Sequence, residues 1–340
     1  MKKRSIISFL ALILTLVITV GLTGCGEGKS YEPADYVLEL EYEDDFRILQ
    51  LSDIHVGNKD DRQRQYDFLE LTIEDADADL IVLCGDSFTF ADKATAHDLF
   101  EFIDSHEIPW TITFGNHDEQ CYFSVSWLTD FLNNYGSNCF FKDIQDDDVF
   151  GDSNFAINLK KDGKNFYQVI LLDSNRYNYG EYIGYDYIHQ DQIDWYERLV
   201  DYTTSQNGGE IVPSILFFHI PVPEFEDAWN ALNSGNPDPS NPVAILEYGE
   251  INEGFSCPKK NSGFFDKVLE KGSSKAICVA HDQVNTLRML YKGVILSYGV
   301  NSTDRIYGID EMTGGQVVVI HPDATLDFEA IYHMYGEVEK

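Results

Sequence analysis

Short apolar runs alternate with helix-period segments along the first half of the chain. FRILQLS (46–52) is apolar almost throughout, as a strand covered on both faces should be. RQYDFLELTIEDAD (64–77) repeats its apolar positions every three to four residues, which predicts an amphipathic helix. DLIVLCGD (79–86) is the next strand, followed by a helix over 92–107, the strand PWTITFGN (109–116) and a helix over 124–136 that Gly136 would end. This βαβα order predicts a largely parallel sheet with helices on its faces.

The pattern then changes. Residues 154–173 read as a hairpin around Asp162-Gly163. A helix over 191–202 leads to the strand PSILFFHIP (213–221), and a helix over 262–272 feeds KAICVAH (275–281). Residues 287–299 and 314–332 alternate like an antiparallel meander. No internal repeat or linker-like break divides residues 45–340, so one α/β domain is expected there, with two packed mixed sheets flanked by helices.

The amino end is different. MKKRS is basic, residues 6–20 are apolar but short for a membrane span, and LTGC (22–25) follows. This resembles a bacterial lipoprotein signal, which implies a leader over 1–24, cleavage before Cys25 and lipid on its sulfur; an ordinary secretory signal is the alternative. Residues 25–44 would then be a polar tether to an extracytoplasmic, membrane-anchored domain.

Composition narrows the function. The balance of 24 Lys+Arg against 58 Asp+Glu gives a net charge of −34, which repels a nucleic-acid duplex and suits a protein that captures cations. Of the 6 cysteines, none forms a CxxC pair, so neither a zinc knuckle nor a disulfide framework is indicated. Cys84 and Cys278 read as small core residues, and an oxidising compartment would permit a Cys121–Cys139 bridge.

The strand ends carry the chemistry, because ligands of open α/β sheets bind beyond the carboxyl ends of the strands. The first predicted strand ends in Asp53 and His55, whose i, i+2 spacing on an extended segment would let both grip one ion. The others end in Gly85-Asp86, in Gly115-Asn116-His117-Asp118, in His219 and in His281. Singly each has a bland explanation: Asp86 could cap a helix, and His219 could bond to backbone. Together, these oxygen and imidazole donors point to one metal site.

DIH, GD, GNHD, a lone strand-end His and a final H-x-x motif, in that order, resemble the calcineurin-like metallophosphoesterase superfamily. LLDSNRYNYGEYIGYDYIHQDQIDWYERL, FFHIPVPEF and NSGFFDKVLEKGSSKAICVAHDQVN look most like its compact members, related to small plant purple acid phosphatases. The resemblance implies a four-layer α/β/β/α sandwich and a dinuclear centre of divalent or trivalent Mn, Fe or Zn. Asp53, His55 and Asp86 would hold metal one, and Asp86, Asn116, His219 and His281 metal two. A metal-bridging hydroxide would attack a phosphomonoester or phosphodiester. His117 would protonate the leaving oxygen or stabilise its charge, with Asp118 orienting its ring.

Two positions depart from that pattern. Thr89 stands where purple members carry a tyrosine ligand, so no iron–phenolate colour is expected. Gln283 replaces the second histidine of the GHxH with which many relatives end, a neutral and poorer ligand that would weaken or open metal one. The alternatives are therefore a non-catalytic lipoprotein that binds metal or ligand, and a nucleotide hydrolase. Residues 222–261 could form a lid over the site or an ordinary surface excursion. The native metals and the oligomeric state stay open.

Overall fold

The computed structural model describes residues 31–58, 62–144, 148–234, 244–303 and 305–334. From the amino end come β1 (Val37–Glu41), β2 (Phe46–Leu51), α1 (Arg62–Ala76), β3 (Leu80–Cys84), α2 (Lys93–Asp104), β4 (Trp110–Thr113) and α3 (Val125–Asn133). Next are β5 (Phe155–Lys161), β6 (Lys164–Leu171), the two-residue strands β7 (Tyr177–Asn178) and β8 (Gly184–Tyr185), α4 (Gln190–Gln206), β9 (Ser214–Phe217) and α5 (Glu224–Asn233). The last elements are β10 (Ala244–Tyr248), α6 (Phe264–Lys271), β11 (Ser274–Val279), β12 (Arg288–Tyr291), β13 (Val294–Tyr298), β14 (Gly314–Ile320) and β15 (Leu326–Tyr332).

Two mixed sheets result. One has 5 strands in the order β15-β14-β2-β3-β4, the other 8 in the order β1-β5-β6-β9-β11-β13-β12-β10. β2, β3 and β4 run parallel, as the βαβα pattern predicts, and so do β6, β9, β11 and β13. One apolar core joins the sheets, from Ile48, Leu83 and Ile112 to Val169, Phe217 and Cys278. Burying side chains of this size contributes roughly 1.5–3 kcal/mol each. α1 packs against β14, β2 and β15, and α6 against β11, so helices cover both outer faces. The expected sandwich is what forms.

Local signals explain the boundaries. Asp92 and Ser124 cap α2 and α3 by accepting from the amides of Thr95 and Trp127. α3 stops at Asn133, before Gly136, because the backbone of Asn134 has already left the helix. Asp162 and Gly163 both take positive φ, 53° and 73°, which suits the tight turn between β5 and β6.

Three expectations are corrected. Val37–Glu41 is no tether: β1 pairs in parallel with β5 at the edge of the larger sheet, so the fold begins well before residue 45. Residues 222–261 contain α5 and the edge strand β10, so much of this segment is framework rather than a lid; its stretch 236–242 lies outside the described residues. Cys121 and Cys139 are free thiols, and Cys25 lies outside the described residues.

Candidate metal centre

The carboxyl ends of five parallel strands supply the site. β2 leads to Asp53 and His55, β3 to Asp86, β4 to Asn116 and His117, β9 to His219 and β11 to His281. Asp53, His55, Asp86, Asn116, His219 and His281 are all buried, the most open being His281 at 8%. Their polar atoms therefore need partners within the protein or an ion.

The donor atoms of Asp53, His55 and Asp86 lie within 4.8 Å of one another, and so do those of Asp86, His219 and His281. Asp86 belongs to both groups. Its Oδ2 is 3.9 Å from His55 Nε2 and 3.1 Å from His219 Nε2. Asp53 Oδ1 is 3.9 Å from His55 Nε2 and 4.0 Å from His219 Nε2. Yet Asp53 Oδ1, Asn116 Oδ1, His219 Nε2 and His281 Nε2 have no hydrogen-bond partner. At His219 and Asp86 the separation is short but the alignment of a hydrogen bond is missing, as for two donors aimed at a third body. Unpaired buried lone pairs cost free energy, and gathered in one place they are all satisfied by a cation.

The remaining polar atoms hold the donors in position. His219 Nδ1 bonds to the Cys84 carbonyl (3.1 Å) and His55 Nδ1 to the Thr89 hydroxyl (2.7 Å), which leaves Nε2 of each ring facing the site. Thr89, the position at which the resemblance to purple members would put a tyrosine, thus holds the ring of the candidate ligand His55. Asp86 Oδ1 accepts from the backbone N–H of His117 (2.7 Å), and Asp53 Oδ2 from that of His281 (3.1 Å). Asn116 Nδ2 donates to the Tyr177 hydroxyl (3.0 Å), which leaves its oxygen for the centre.

The backbone is strained here. Asp53, His55, Asp86 and His281 have φ of 56°, 54°, 50° and 78°, a region costing roughly 1–3 kcal/mol for a non-glycine residue. The donor atoms of Asp53 and His55 do come together, but from left-handed turns, not from the extended segment expected. Two glycines admit the crowding. A Cβ on Gly85 would lie 2.5 Å from His219 Cγ, and one on Gly115 2.2 Å from Asp86 Oδ1.

Burial pushes His55 and His281 down to about 4 and about 3, so their rings are neutral with lone pairs available. Burial also pushes Asp53 up, to about 8, although the charge on His219 opposes this. For His219, burial is outweighed by the Asp86 carboxylate, which raises it to about 10; Asp86 itself is held below the usual range despite its own burial. Without an ion, the Asp86 carboxylate is balanced by a proton on His219 and Asp53 tends to keep its own, so a cation bound here would displace both protons and free those donor atoms.

The expected role of Asp118 is not what the structure shows. Its carboxylate accepts from the amides of Asp86 (3.0 Å), Phe88 (3.0 Å) and Gly115 (2.7 Å), tying two ligand loops together. The His117 ring is held instead by Gln120, whose Oε1 is 2.9 Å from Nδ1. The sequence reading missed Gln120, although a residue three places on in a short helical turn is a natural partner. His117 stands edge-on to His55, ring centroids 5.1 Å apart, so it borders the centre.

Gln283 is buried beside His55. Its Nε2 lies 2.8 Å from His55 Nε2, and its Oε1 has no partner. The side chain occupies the expected place, but its amide blocks the very nitrogen an ion would use.

Known proteins resemble this chain in sequence and in fold. The model of the family described as "Calcineurin-like phosphoesterase" matches residues 46–285. The chain is similar to "Probable inactive purple acid phosphatase 29" of Arabidopsis thaliana, at 28% identity over 80% of this chain and 75% of that protein. It is also similar to "Phosphatase DCR2" of Saccharomyces cerevisiae, at 26% identity over 71% of this chain and 44% of that protein. A dimetal phosphatase of Danio rerio shares the fold, with a TM-score of 0.53 and 12% identity over 82% of this chain and 94% of that one.

Proposed function

Since the chain belongs to the calcineurin-like phosphoesterase family, we propose that it is a metal-dependent hydrolase of phosphomonoesters or phosphodiesters. One observation carries this reading: two groups of buried donors share Asp86, and lone pairs in both find no partner in the protein. Asp53, His55 and Asp86 would hold one ion, and Asp86, Asn116, His219 and His281 the other. Mn, Fe or Zn bound there would polarise a phosphoryl oxygen and acidify a water.

The chain's own groups account for the rest. Gln120 fixes the His117 ring through Nδ1, which leaves Nε2 to deliver a proton to the leaving oxygen. The His117 backbone N–H is bonded to Asp86, so the proton donor is registered against the carboxylate common to both groups. Asp118 keeps the loops after β3 and β4 in fixed relation. Lipid attachment at Cys25 and an extracytoplasmic location belong to the proposal too, supported by the leader pattern alone; Cys25→Ser should release the protein from membranes.

A second reading is a metal- or ligand-binding protein without turnover. The Gln283 amide on His55 favours it, and a similar plant protein is named inactive. Hydrolysis of p-nitrophenyl phosphate and bis-p-nitrophenyl phosphate with added Mn separates the two. The hydrolase reading expects background rates for Asp86→Ala and a loss of about 10²–10⁴-fold for His117→Ala. Equal rates in the wild type and both variants would leave only the non-catalytic reading.

A further inference from the structure

A cavity of about 360 Å³ opens beside the metal centre. Asn116 and Gln120 are among the residues that line it, so it borders both a candidate ligand and the residue that holds His117. Three of its lining residues, Asn116, Glu119 and Gln120, surround His117 in the chain, so a leaving group that takes its proton from His117 has this space next to it.

Phe150, Tyr177 and Tyr179 are the cavity's aromatic walls. Tyr177 is fixed by the Asn116 amide and stacks on Tyr185, which meets His281 edge-on at 4.4 Å. Phe150 stacks on His189 at 4.1 Å. Phe150 is 45% and Tyr179 76% exposed, so two large rings lie uncovered where a substrate would cover them. The charges are mostly spent on one another. Arg176 pairs with Glu119 and lies 3.9 Å from Asp152, and Asp186 pairs with His189 at 3.0 Å. Among the described residues that line the cavity, Arg176 is the one cationic side chain, and Glu119 and Asp152 already face it.

Building on the phosphoesterase reading, we propose that this cavity takes a compact aromatic leaving group without negative charge, an aryl alcohol or a nucleoside, and that Tyr179 and Phe150 select it. Leaving groups that carry further phosphates, and polypeptide chains, are disfavoured by an arginine that carboxylates already face and by the size of the cavity.

The test compares kcat/KM for phenyl phosphate, adenosine 5′-monophosphate, glycerol 2-phosphate and adenosine triphosphate. The first two should exceed the others, and whichever of them leads identifies the source. Their advantage over glycerol 2-phosphate should fall by about tenfold in Tyr179→Ala and Phe150→Ala, with Tyr179→Phe restoring it. An unchanged ratio in both alanine variants, or a preference for the triphosphate, overturns the proposal. If nothing is hydrolysed, the phosphoesterase reading fails separately. Calorimetric binding of phenylphosphonate against methylphosphonate to the Mn-loaded protein then decides: a preference lost in Tyr179→Ala supports the subsite, and no preference overturns it.

Discussion

Replacing Gln283 with histidine should tighten cation binding on the side of the centre formed by Asp53 and His55. In the wild-type chain the Gln283 amide nitrogen sits 2.8 Å from His55 Nε2, and that contact must break before the nitrogen can coordinate. A hydrogen bond of this kind is worth about 1 kcal/mol, or roughly fivefold in affinity. The amide also offers only a neutral oxygen, unpartnered in the structure, where an imidazole would offer a stronger donor. Changes beside metal ligands typically shift affinity by about 10–100-fold, or about 1.4–2.7 kcal/mol. The expected gain is therefore at least about tenfold. Titrating metal-free protein with Mn against a competing chelator, with elemental analysis of the bound metal, measures it. The wild type should take up one ion tightly and a second weakly, and Gln283→His should hold both; Gln283→Ala should fall between. Identical stoichiometry and dissociation constants in the wild type and Gln283→His would refute the reasoning.

Asp118→Ala should destabilise the metal-free protein by about 3 kcal/mol or more, because three buried amides lose their acceptor at roughly 1–3 kcal/mol each. Urea unfolding checks this, and a variant with unchanged stability but a lower kcat would return Asp118 to the role of orienting His117. Gly115→Ala should drive a Cβ into Asp86, whose Oδ1 would lie only 2.2 Å away, and so uncouple the fold from metal. At one metal concentration, 100 times the wild-type Kd, the wild type should gain about 2.7 kcal/mol and the variant clearly less; equal gains contradict the steric argument. His321, exposed between Asp45 (2.6 Å) and Asp327 (3.0 Å), is raised above 6.5 by hydrogen bonds to both carboxylates. Its folded value exceeds its unfolded one, so its stabilising contribution is complete below about pH 6.5 and fades as pH rises through the folded value. An NMR titration midpoint at or below 6.5, or one that Asp45→Asn does not lower, would overturn this.

The ligand-bearing strand ends were legible because polar residues abruptly stop near-continuous apolar runs, and strands such as β3, buried at every position, tolerate that only at their ends. β1 was hidden because its acidic positions alternate with apolar ones and face outward at a sheet edge, so VLELE resembles a tether. β7, β8 and β10 are too short or too irregular to leave a period. The partner of His117 was misassigned because neighbouring residues in a turn diverge, whereas the residue three places on returns to the ring. The block on His55 by Gln283 is a through-space event between residues 228 positions apart, which no local pattern encodes.

The six donors do not belong to one layer. Four hang from the smaller sheet, and His219 and His281 from the larger. A cation pair between them would act as a rivet through both plates, opposing shear of one against the other. Amide hydrogen exchange at β9 and β11 should slow on loading along with that at β2 and β3, so chemistry at the rim would set the stiffness of the whole sandwich.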